Sequence, residues 1–516
     1  MQASGAPPTT LSARQVRLIF GSLMTAMAMA ALDGTIVNTA LLTIVSDLGG
    51  LKSYAWVGTA YLLCSTISTM LMGKLSDIFG RRRLFLIAMV VFVAGSAMCG
   101  LARSMVQLVV ARGLQGVGGG GLISMTFAIT GDIVSPRERG KYSSLMTSVF
   151  AVAGVVGPLL GGIIVQNASW RLIFWVNVPI GTVALVLAWK VLHVPFERRD
   201  RPIDYVGAGL LTLGVSSLLV GFSWASQEYG WSAPPTLGLI VGSGVVLIVF
   251  GFWEARVAEP LIPLALFRIP IVRATLVAIG LMSSVLYAAN TFLPLFLQGV
   301  TGVTPMQSGL LLVPIVFGIL VSASIVGRLI SRTGHYRRWS ILGCAVMVPA
   351  TAALSFVGQG GIRMAIMLGG MLTLGLAAGA SNPVGTIAIQ NAVDPADMGV
   401  ASALSMFVRT LMSTIALSLF GTLMSSQLGD SVDPELVRSP RLIRALPPVE
   451  KAAALEALSG AIGAVYRWCI PLAIIALIAS WRVEELPLRT TSRVGRHVAD
   501  DSDGGFDPSV GAAIAH

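Results

Sequence analysis

The chain alternates between long apolar runs and short polar segments. Each apolar run is about 20 residues long, the length at which an α-helix crosses a hydrocarbon core of ~30 Å. Helices are expected because lipid offers the backbone no hydrogen-bond partner and the runs are about twice as long as a membrane β-strand. The pattern predicts an all-α membrane protein with fourteen spans, beginning near residues 18, 54, 84, 106, 140, 171, 204, 234, 273, 306, 337, 363, 399 and 461.

Composition supports a membrane protein and argues against nucleic-acid binding. Of the 516 residues, 55% are hydrophobic and 11% are charged, whereas soluble domains contain about 25% charged residues. The net charge is +11, but the basic residues occur in short clusters between apolar runs and form no basic face or tail. The cysteines also lie inside apolar runs and lack the C-x-x-C spacing of metal and redox sites: Cys64, Cys99, Cys344 and Cys469.

The basic residues predict the orientation of the chain. They concentrate in the loops on the same side as the N-terminus, including residues 81–83, 137–139, 198–199 and 337–338. The positive-inside rule then places both termini in the cytoplasm, and we expect the plasma (inner) membrane. The stretch ending at residues 28–30 resembles a signal peptide, but its apolar run continues past Asp33, so we expect a retained first span.

The two halves of the chain repeat each other. Residues 73–80 align with residues 327–334, and Gly140 aligns with Gly399. Two like-oriented bundles of six spans with two extra spans between them account for this spacing, and the plan resembles the parallel repeat of major facilitator transporters. The predicted units are a cytoplasmic tail at 1–17, a bundle at 18–192, a linker with two extra spans at 193–255, a bundle at 256–481 and a disordered cytoplasmic tail at 482–516.

The segment 73–83 carries the most specific motif. Its Gly, Leu, Asp, Gly and basic positions resemble the loop-2/3 signature of the major facilitator superfamily. The glycines allow a tight turn, and an Asp beside arginines can pair in one conformation and separate in the other. A carboxylate near a helix N-terminus also gains ~0.3–1 kcal/mol. The resemblance assigns a gating role to Gly73, Asp77, Gly80, Arg81, Arg82 and Asp132, and the alternative for the loop is a solvated turn. Asp132 could pair with Arg81, as the analogous residues do in some superfamily members, or be a solvated helix end.

Residues 112–121 resemble the span-4 motif of the same superfamily. Arg112 and Gln115 share a helix face with two of the glycines. An arginine facing lipid would cost at least ~2.5–3.5 kcal/mol, so Arg112 is expected to face the protein interior or water. The glycine run lacks the G-x-x-x-x-G-K-[ST] pattern of a phosphate loop. Its expected role is therefore close helix packing.

Span 5 resembles the motif that distinguishes antiporters from importers in this superfamily. Its small residues let a neighbouring helix approach closely, and its proline removes a backbone hydrogen bond where the halves are expected to rock. Ordinary small-residue packing is the alternative interpretation. The motif residues are Gly154, Gly157, Pro158, Gly161 and Gly162.

Asp33 is the only carboxylate that the predicted spans place deep in the hydrocarbon. Residues 32–41, 170–181, 203–207 and 259–264 resemble the fourteen-span drug:proton antiporter family. Burial disfavours the charged form of Asp33, so we expect it to take up and release a proton together with Arg112. A purely structural ion pair with Arg112 is the alternative.

The family resemblance implies a proton-coupled antiporter that exports lipophilic or cationic drug-like molecules by alternating access. It implies no cofactor beyond the proton gradient, a functional monomer, and the bilayer, the substrate and protons as partners. We predict a substrate cavity lined by residues that combine aromatic area with hydrogen-bonding groups: Asn38, Tyr61, Gln115, Trp175, Tyr287, Asn290, Phe292, Phe296 and Gln298.

Three other functions remain as alternatives. The first is a dedicated exporter of one natural product, lipid or siderophore, and the second is a proton-driven importer, against which the span-5 motif argues. The third is a membrane-embedded enzyme, which would need convergent catalytic groups within the spans. The four histidines instead fall in predicted loops or the tail: His193, His335, His497 and His516.

Overall fold

The computed structural model is helical throughout the parts of the chain that it describes. These parts are residues 13–48, 54–134, 138–192, 204–227, 229–356, 364–394, 397–428 and 447–488. They contain no β-strand. The helices form two lobes, with one additional helix pair between them in the sequence.

The first lobe is built around α4. Helices α2 and α3 pack along α4, while α1 packs against α4, α5 and α7. Only glycines allow the approach of α2 and α3 to α4, since a Cβ on Gly120 or Gly118 would lie within 3 Å of backbone atoms of Ser65 or Phe92. The elements are α1 (Ala13–Leu48), α2 (Tyr54–Phe79), α3 (Arg81–Leu101), α4 (Met105–Ile133), α5 (Arg139–Asn167), α6 (Leu172–Trp175) and α7 (Asn177–Val191).

The additional pair, α8 (Tyr205–Gln227) and α9 (Pro234–Glu254), packs mainly against itself, and α8 also contacts α15 and α2. In the second lobe, α14 packs against α12 and α13, while α10 packs against α15 and α16. A 3-10 helix at Leu264–Arg268 precedes this lobe. Its helices are α10 (Pro270–Gly299), α11 (Pro305–Leu311), α12 (Val313–Thr333), α13 (Arg337–Ser355), α14 (Met364–Ala392), α15 (Met398–Leu428) and α16 (Pro448–Trp481).

Twelve helical segments in the described parts are long and apolar enough to cross a membrane. The predicted count of fourteen is not confirmed, because α2 and α4 do not belong to this set. Both contain polar residues and glycines that lower their mean hydropathy. Large apolar side chains cover the outer faces of many helices, as lipid contact requires; Val183 of α7, for example, is 70% exposed.

The internal repeat extends to the backbone. Gly80, whose φ is 92°, follows the last residue of α2, and Gly334, whose φ is 76°, follows the last residue of α12. These two glycines occupy equivalent positions in the repeated segment, and a residue with a Cβ would be strained at such angles. A glycine with positive φ therefore follows the helix at the equivalent position of both lobes, although ψ is 139° at Gly80 and −6° at Gly334.

The lobes meet through glycines at the end of the bundle where α2 is followed by α3, here called the α2–α3 end. There α2 crosses α15, and a Cβ on Gly73 would lie 3.2 Å from the Gly399 carbonyl oxygen. The equivalent crossing joins α5 and α12, where a Cβ on Gly327 would lie 2.5 Å from the Gly140 carbonyl oxygen. The glycine positions that the repeat equates, 73 with 327 and 140 with 399, thus form two symmetry-related contacts that close this end.

Part of the predicted C-terminal tail follows the second lobe. Val483 is buried, and the Leu486 amide donates to the Tyr336 hydroxyl at 3.0 Å. The Glu485 carboxylate accepts from the Tyr336 amide at 2.9 Å. Residues 482–488 are therefore docked at the start of α13, and the rest of the predicted tail lies outside the described residues.

Candidate transport site

A buried cluster of polar side chains surrounds Asp33 on α1. Arg112 and Gln115 of α4 and Asn177 of α7 all donate hydrogen bonds to its carboxylate. The Arg112 Nη1 atom lies 2.5 Å from Oδ2, while Gln115 Nε2 and Asn177 Nδ2 lie 2.8 and 3.0 Å from Oδ1. Asp33 is 1% exposed and Arg112 is 2% exposed. Three helices of the first lobe therefore meet at one carboxylate that is sealed from solvent in this conformation.

A further set of contacts fixes Arg112. Its Nε donates to the Val57 carbonyl at 3.3 Å, and its Nη1 also donates to Gln115 Oε1 at 2.9 Å. The guanidinium carbon lies 4.2 Å from the centre of the Tyr61 ring, a cation–π contact. The Tyr61 hydroxyl in turn donates to the Ala30 carbonyl at 3.1 Å. Helix α2 is thereby tied into the cluster as well.

Asp33 and Arg112 form a buried ion pair. Each buried charge depends on the other, since removing one partner of such a pair costs about 3–5 kcal/mol. Within the described residues, no group of three or more His, Cys, Asp or Glu side chains is placed to hold a metal ion. The chemistry available to the cluster is proton transfer at Asp33 and exchange of its hydrogen-bond donors.

The glycine motif of α5 touches α1 beside this carboxylate. Gly157 faces Thr35, two residues after Asp33, so closely that a Cβ at Gly157 would overlap the Thr35 hydroxyl. That hydroxyl donates to the Ala153 carbonyl of α5 at 2.9 Å. A movement of α5 would therefore be transmitted directly to the segment of α1 that carries the acid.

The other residues of the α5 motif have different surroundings. Gly154 and Gly162 have open space where a Cβ would lie, whereas Gly161 is buried. Pro158 lies inside the helix, where it removes one backbone hydrogen bond. Of the motif glycines whose surroundings are described, Gly157 makes the close approach to another helix.

A second buried ion pair lies at the α2–α3 end. Arg81, the first residue of α3, donates through Nε to Asp132 of α4 at 2.8 Å. Arg81 also donates to the Ser76 hydroxyl, and Arg82 donates to the Trp189 carbonyl of α7 at 2.7 Å. The Arg81–Asp132 pairing is one of the two alternatives that the sequence left open for Asp132.

Comparison with known proteins decides the family. The sequence profile of the Major Facilitator Superfamily matches residues 23–417. The chain belongs to the major facilitator superfamily. Its two-lobed fold agrees, since the solved structure of the proton:xylose symporter XylE superposes with a TM-score of 0.65 over 94% of this chain and 100% of that one, at 14% identity.

Relatives in this superfamily include multidrug transporters and a transporter of a biosynthesis cluster. The multidrug transporter protein MdtP of Bacillus subtilis is 33% identical over 81% of this chain and 77% of its own. Multidrug resistance protein 3 of the same bacterium is 30% identical over 81% of each chain. The acurin A biosynthesis cluster transporter of Aspergillus aculeatus is 34% identical over 82% of this chain and 78% of its own. The chain is thus similar both to multidrug transport proteins and to a transporter of a biosynthesis cluster.

Three side chains that we expected to line the substrate cavity of this major facilitator protein are buried. Tyr61 stacks on Arg112, while Phe292 and Phe296 pack in the core of the second lobe with Tyr466 of α16. None of these three is more than 5% exposed. Gln115 is also fully buried, and its amide serves Asp33 rather than open space.

The remaining cavity candidates differ in their accessibility. Tyr287 and Asn290 lie on an exposed face of α10, and Gln298 lies further along α10, partly buried. Trp175 is 37% exposed and packs over Gly100 of α3. The Asn38 and Asp77 side chains lie outside the described residues, although their backbones belong to α1 and α2.

The sequence analysis missed Asn177 as a partner of Asp33. This residue falls within the segment 170–181, which carries a family resemblance, but the motif had no assigned chemistry. The available signal was a carboxamide inside an apolar span, where an unpaired polar group is costly. Asn177 Nδ2 also lies 3.1 Å from the Ser96 hydroxyl oxygen, so it links Asp33 to α3.

Replacing Arg81 with Gln will lower the free energy of unfolding by about 3–5 kcal/mol, because it breaks the buried ion pair with Asp132. The Arg81→Gln/Asp132→Asn double variant will regain most of that loss. Arg83 lies two residues along the same turn but is exposed, and Arg83→Gln should change stability by less than about 0.5 kcal/mol. Unfolding by SDS in detergent micelles measures all three. Equal effects of the Arg81 and Arg83 variants would show that the pair contributes nothing.

Proposed function

We propose that this transporter is a proton-coupled antiporter that exports lipophilic or cationic drug-like molecules by alternating access. The observation that carries the proposal is the environment of Asp33. Ionisable groups inside a membrane are costly and are usually retained for transport, and this one is paired with a cation on another helix. A proton bound at Asp33 would cancel the charge that holds Arg112. The Asp33 carboxylate therefore couples proton binding to helix rearrangement.

The contacts of α1 suggest how that coupling reaches the lobes. Protonation of Asp33 weakens its bonds to α4 and α7, which frees α1 to shift. Through Thr35, the shift acts on Gly157 of α5, and α5 is the helix that crosses α12 at Gly140 and Gly327. A proton can therefore bias the contact between the lobes. Asp33 exchanges its proton when the cluster opens, since it is sealed in the conformation described here.

The topology proposed for this mechanism has fourteen spans. Helices α2 and α4 contain 26 and 29 residues, and at 1.5 Å per residue both exceed the ~30 Å of hydrocarbon. Their polar and small residues face other helices, so their lower hydropathy does not prevent insertion. We place the transporter in the plasma membrane as a monomer with both termini in the cytoplasm, following the distribution of basic loop residues.

The driving force is adequate for export. A single charge that moves through 100 mV supplies ~2.3 kcal/mol, and a tenfold concentration ratio requires ~1.4 kcal/mol. One proton per substrate would thus sustain a ratio of about 50 for each 100 mV of proton-motive force. No nucleotide-binding motif is needed.

A second candidate is export of one natural product. The named role of the Aspergillus relative in a biosynthesis cluster favours it. The membrane-embedded enzyme is disfavoured, because the family and fold of this chain are those of transporters and not of enzymes. Substrate range separates the two export candidates: a multidrug transporter should move several unrelated lipophilic compounds, and a dedicated exporter should move one.

Transport by purified protein in liposomes tests the proposal. With an imposed pH gradient, we expect vesicles to accumulate a fluorescent lipophilic dye on the acidic side. A protonophore should abolish the accumulation within the same experiment. Dye movement that ignores both the gradient and the protonophore would contradict proton coupling, and a panel of chemically unrelated dyes would reveal the breadth of the substrate range.

A further inference from the structure

Arg409 on α15 is a cation inside a span that has no carboxylate partner. Among the described residues, no Asp or Glu oxygen lies within 4.0 Å of its guanidinium group, whereas Arg112 pairs with Asp33 and Arg81 with Asp132. Its contacts are instead to Asn382 of α14. One N–H donates to the Asn382 side-chain oxygen and another to the Asn382 carbonyl at 3.1 Å, while Nε is buried without a partner. Within the described residues, the positive charge of Arg409 therefore has no carboxylate counterion.

Arg409 lies where the two lobes face each other. Met406, one turn earlier on α15, packs against a cluster of first-lobe residues that includes Phe127 of α4 and Met146 of α5. Residues three apart share a helix face, so Arg409 lies on the same face of α15 as Met406, one turn further along the helix. It remains partly accessible there. Arg467 of α16 differs, since it is exposed beside the exposed Trp468 and can reach the lipid headgroups.

The surroundings of Arg409 leave room for the guanidinium group. A Cβ on Gly385 of α14 would lie 3.3 Å from Arg409 Nη2, so a larger residue would press on that nitrogen. Asn382, which is partly accessible, holds the guanidinium through two oxygen acceptors and leaves its own amide N–H groups as additional donors. Arg409 and Asn382 are thus two partly accessible neighbours that retain N–H donors.

We propose that Arg409 and Asn382 form a binding site for an anionic group, such as a carboxylate, on the transported molecule. The proposal rests on the export function proposed above and narrows its substrate class. A cation in a membrane span without a counterion is costly, and a carboxylate that accepts from its N–H groups lowers that cost through charge-assisted hydrogen bonds. The same charge repels lipophilic cations, because the Asp33 carboxylate is already neutralised by Arg112 and cannot offset it.

Binding of three matched probes to the purified full-length transporter tests the proposal without a proton gradient. The probes are 2-naphthoate, its neutral methyl ester, and the 2-naphthyl-trimethylammonium cation, which share the aromatic body and differ in charge. We expect the wild type to bind the naphthoate most tightly and the cation most weakly. Calorimetry in detergent gives the three affinities.

Substitutions at Arg409 show whether the preference for the anionic probe depends on this residue. Arg409→Gln should weaken naphthoate binding roughly 10- to 100-fold, as expected for a lost hydrogen bond to a charged group, and leave the ester within about twofold. Arg409→Lys should recover part of the naphthoate affinity, because it retains charge without the planar fork. Arg467→Gln is the matched control and should leave all three affinities unchanged. Monodisperse elution and an unfolding temperature near that of wild type verify that each variant is folded.

Several results would overturn the proposal. They are failure of the wild type to bind naphthoate, tighter binding of the cation than of the anion, and equal naphthoate affinity in the wild type and folded Arg409→Gln. If Arg409→Gln does not fold, loss of charge preference in the Asn382→Leu variant serves instead, and an unchanged preference there counts against the site. Proton coupling is a separate matter: charge-selective binding with no response of transport to pH would refute the antiport mechanism and leave this site in place.

Discussion

Asp33→Asn will reduce pH-driven transport to the level of vesicles without protein. Asparagine has nearly the same shape as aspartate but cannot bind and release a proton. The proton gradient therefore no longer drives the rearrangement of the helices. Substrate exchange down its own gradient should continue, because the lobes can still rock. Asp33→Glu retains a carboxyl group and should preserve part of the pH-driven transport.

The stability of this variant needs its own control, since Arg112 stays buried. We expect Asp33→Asn to cost about 3–5 kcal/mol in the free energy of unfolding. The Asp33→Asn/Arg112→Gln double variant removes both charges and should be close to wild type in stability, as often found when a buried pair is replaced as a unit. It should be as defective in pH-driven transport as the single variant. Full pH-driven transport by the double variant would remove this pair from the mechanism.

Gly327→Val will prevent closure of the α2–α3 end and strongly reduce transport. A Cβ there would lie 2.5 Å from the Gly140 carbonyl oxygen and 2.7 Å from the Ser144 hydroxyl oxygen, so α12 and α5 must separate. Overpacking of this kind costs typically 1–3 kcal/mol, and each 1.4 kcal/mol changes a conformational equilibrium tenfold. We expect the ratio of closed to open molecules to fall by about 5- to 140-fold.

Labelling of a cysteine placed at Met406, which packs against the apolar cluster between the lobes, measures this change in the ratio of closed to open molecules. Met406→Cys lies in the apolar cluster that the closed end buries, and a maleimide should label it faster in the Gly327→Val background. Gly242→Val of α9 is the control, because nothing lies within 4 Å of a Cβ at that position. If the two valine variants label and transport alike, the glycine crossing does not limit closure.

The sequence predicted those parts of the fold that depend on local pattern. Apolar runs marked the helices, and the likeness of residues 73–80 to 327–334 predicted two equivalent lobes, in which glycines with positive φ occupy equivalent positions, Gly80 and Gly334. The family followed from motifs and was confirmed by comparison. The predicted number of spans was not confirmed, because α2 and α4 have too low a mean hydropathy to be counted as spans. Both helices direct polar groups toward neighbouring helices.

The site was less predictable because it depends on which faces of five helices meet. An arginine that faces lipid is costly, so the sequence predicted that Arg112 faces the protein interior or water. An ion pair between Arg112 and Asp33 was one of the alternatives that the sequence left open. Periodicity along one helix cannot show that Asn177 completes the cluster. It equally cannot distinguish Tyr61, whose ring stacks on Arg112, from Tyr287, whose side chain is 43% exposed. Aromatic residues in spans look alike until their partners are known.

Proton release on substrate binding is the most direct test of whether Asp33 exchanges a proton for cargo. Purified transporter in weakly buffered detergent solution, mixed with a transported dye, should release about one proton per dye bound, because a group whose proton affinity differs between two states links binding to pH. Asp33→Asn should bind the dye and release none. Equal release from the wild type and Asp33→Asn would show that another group carries the proton.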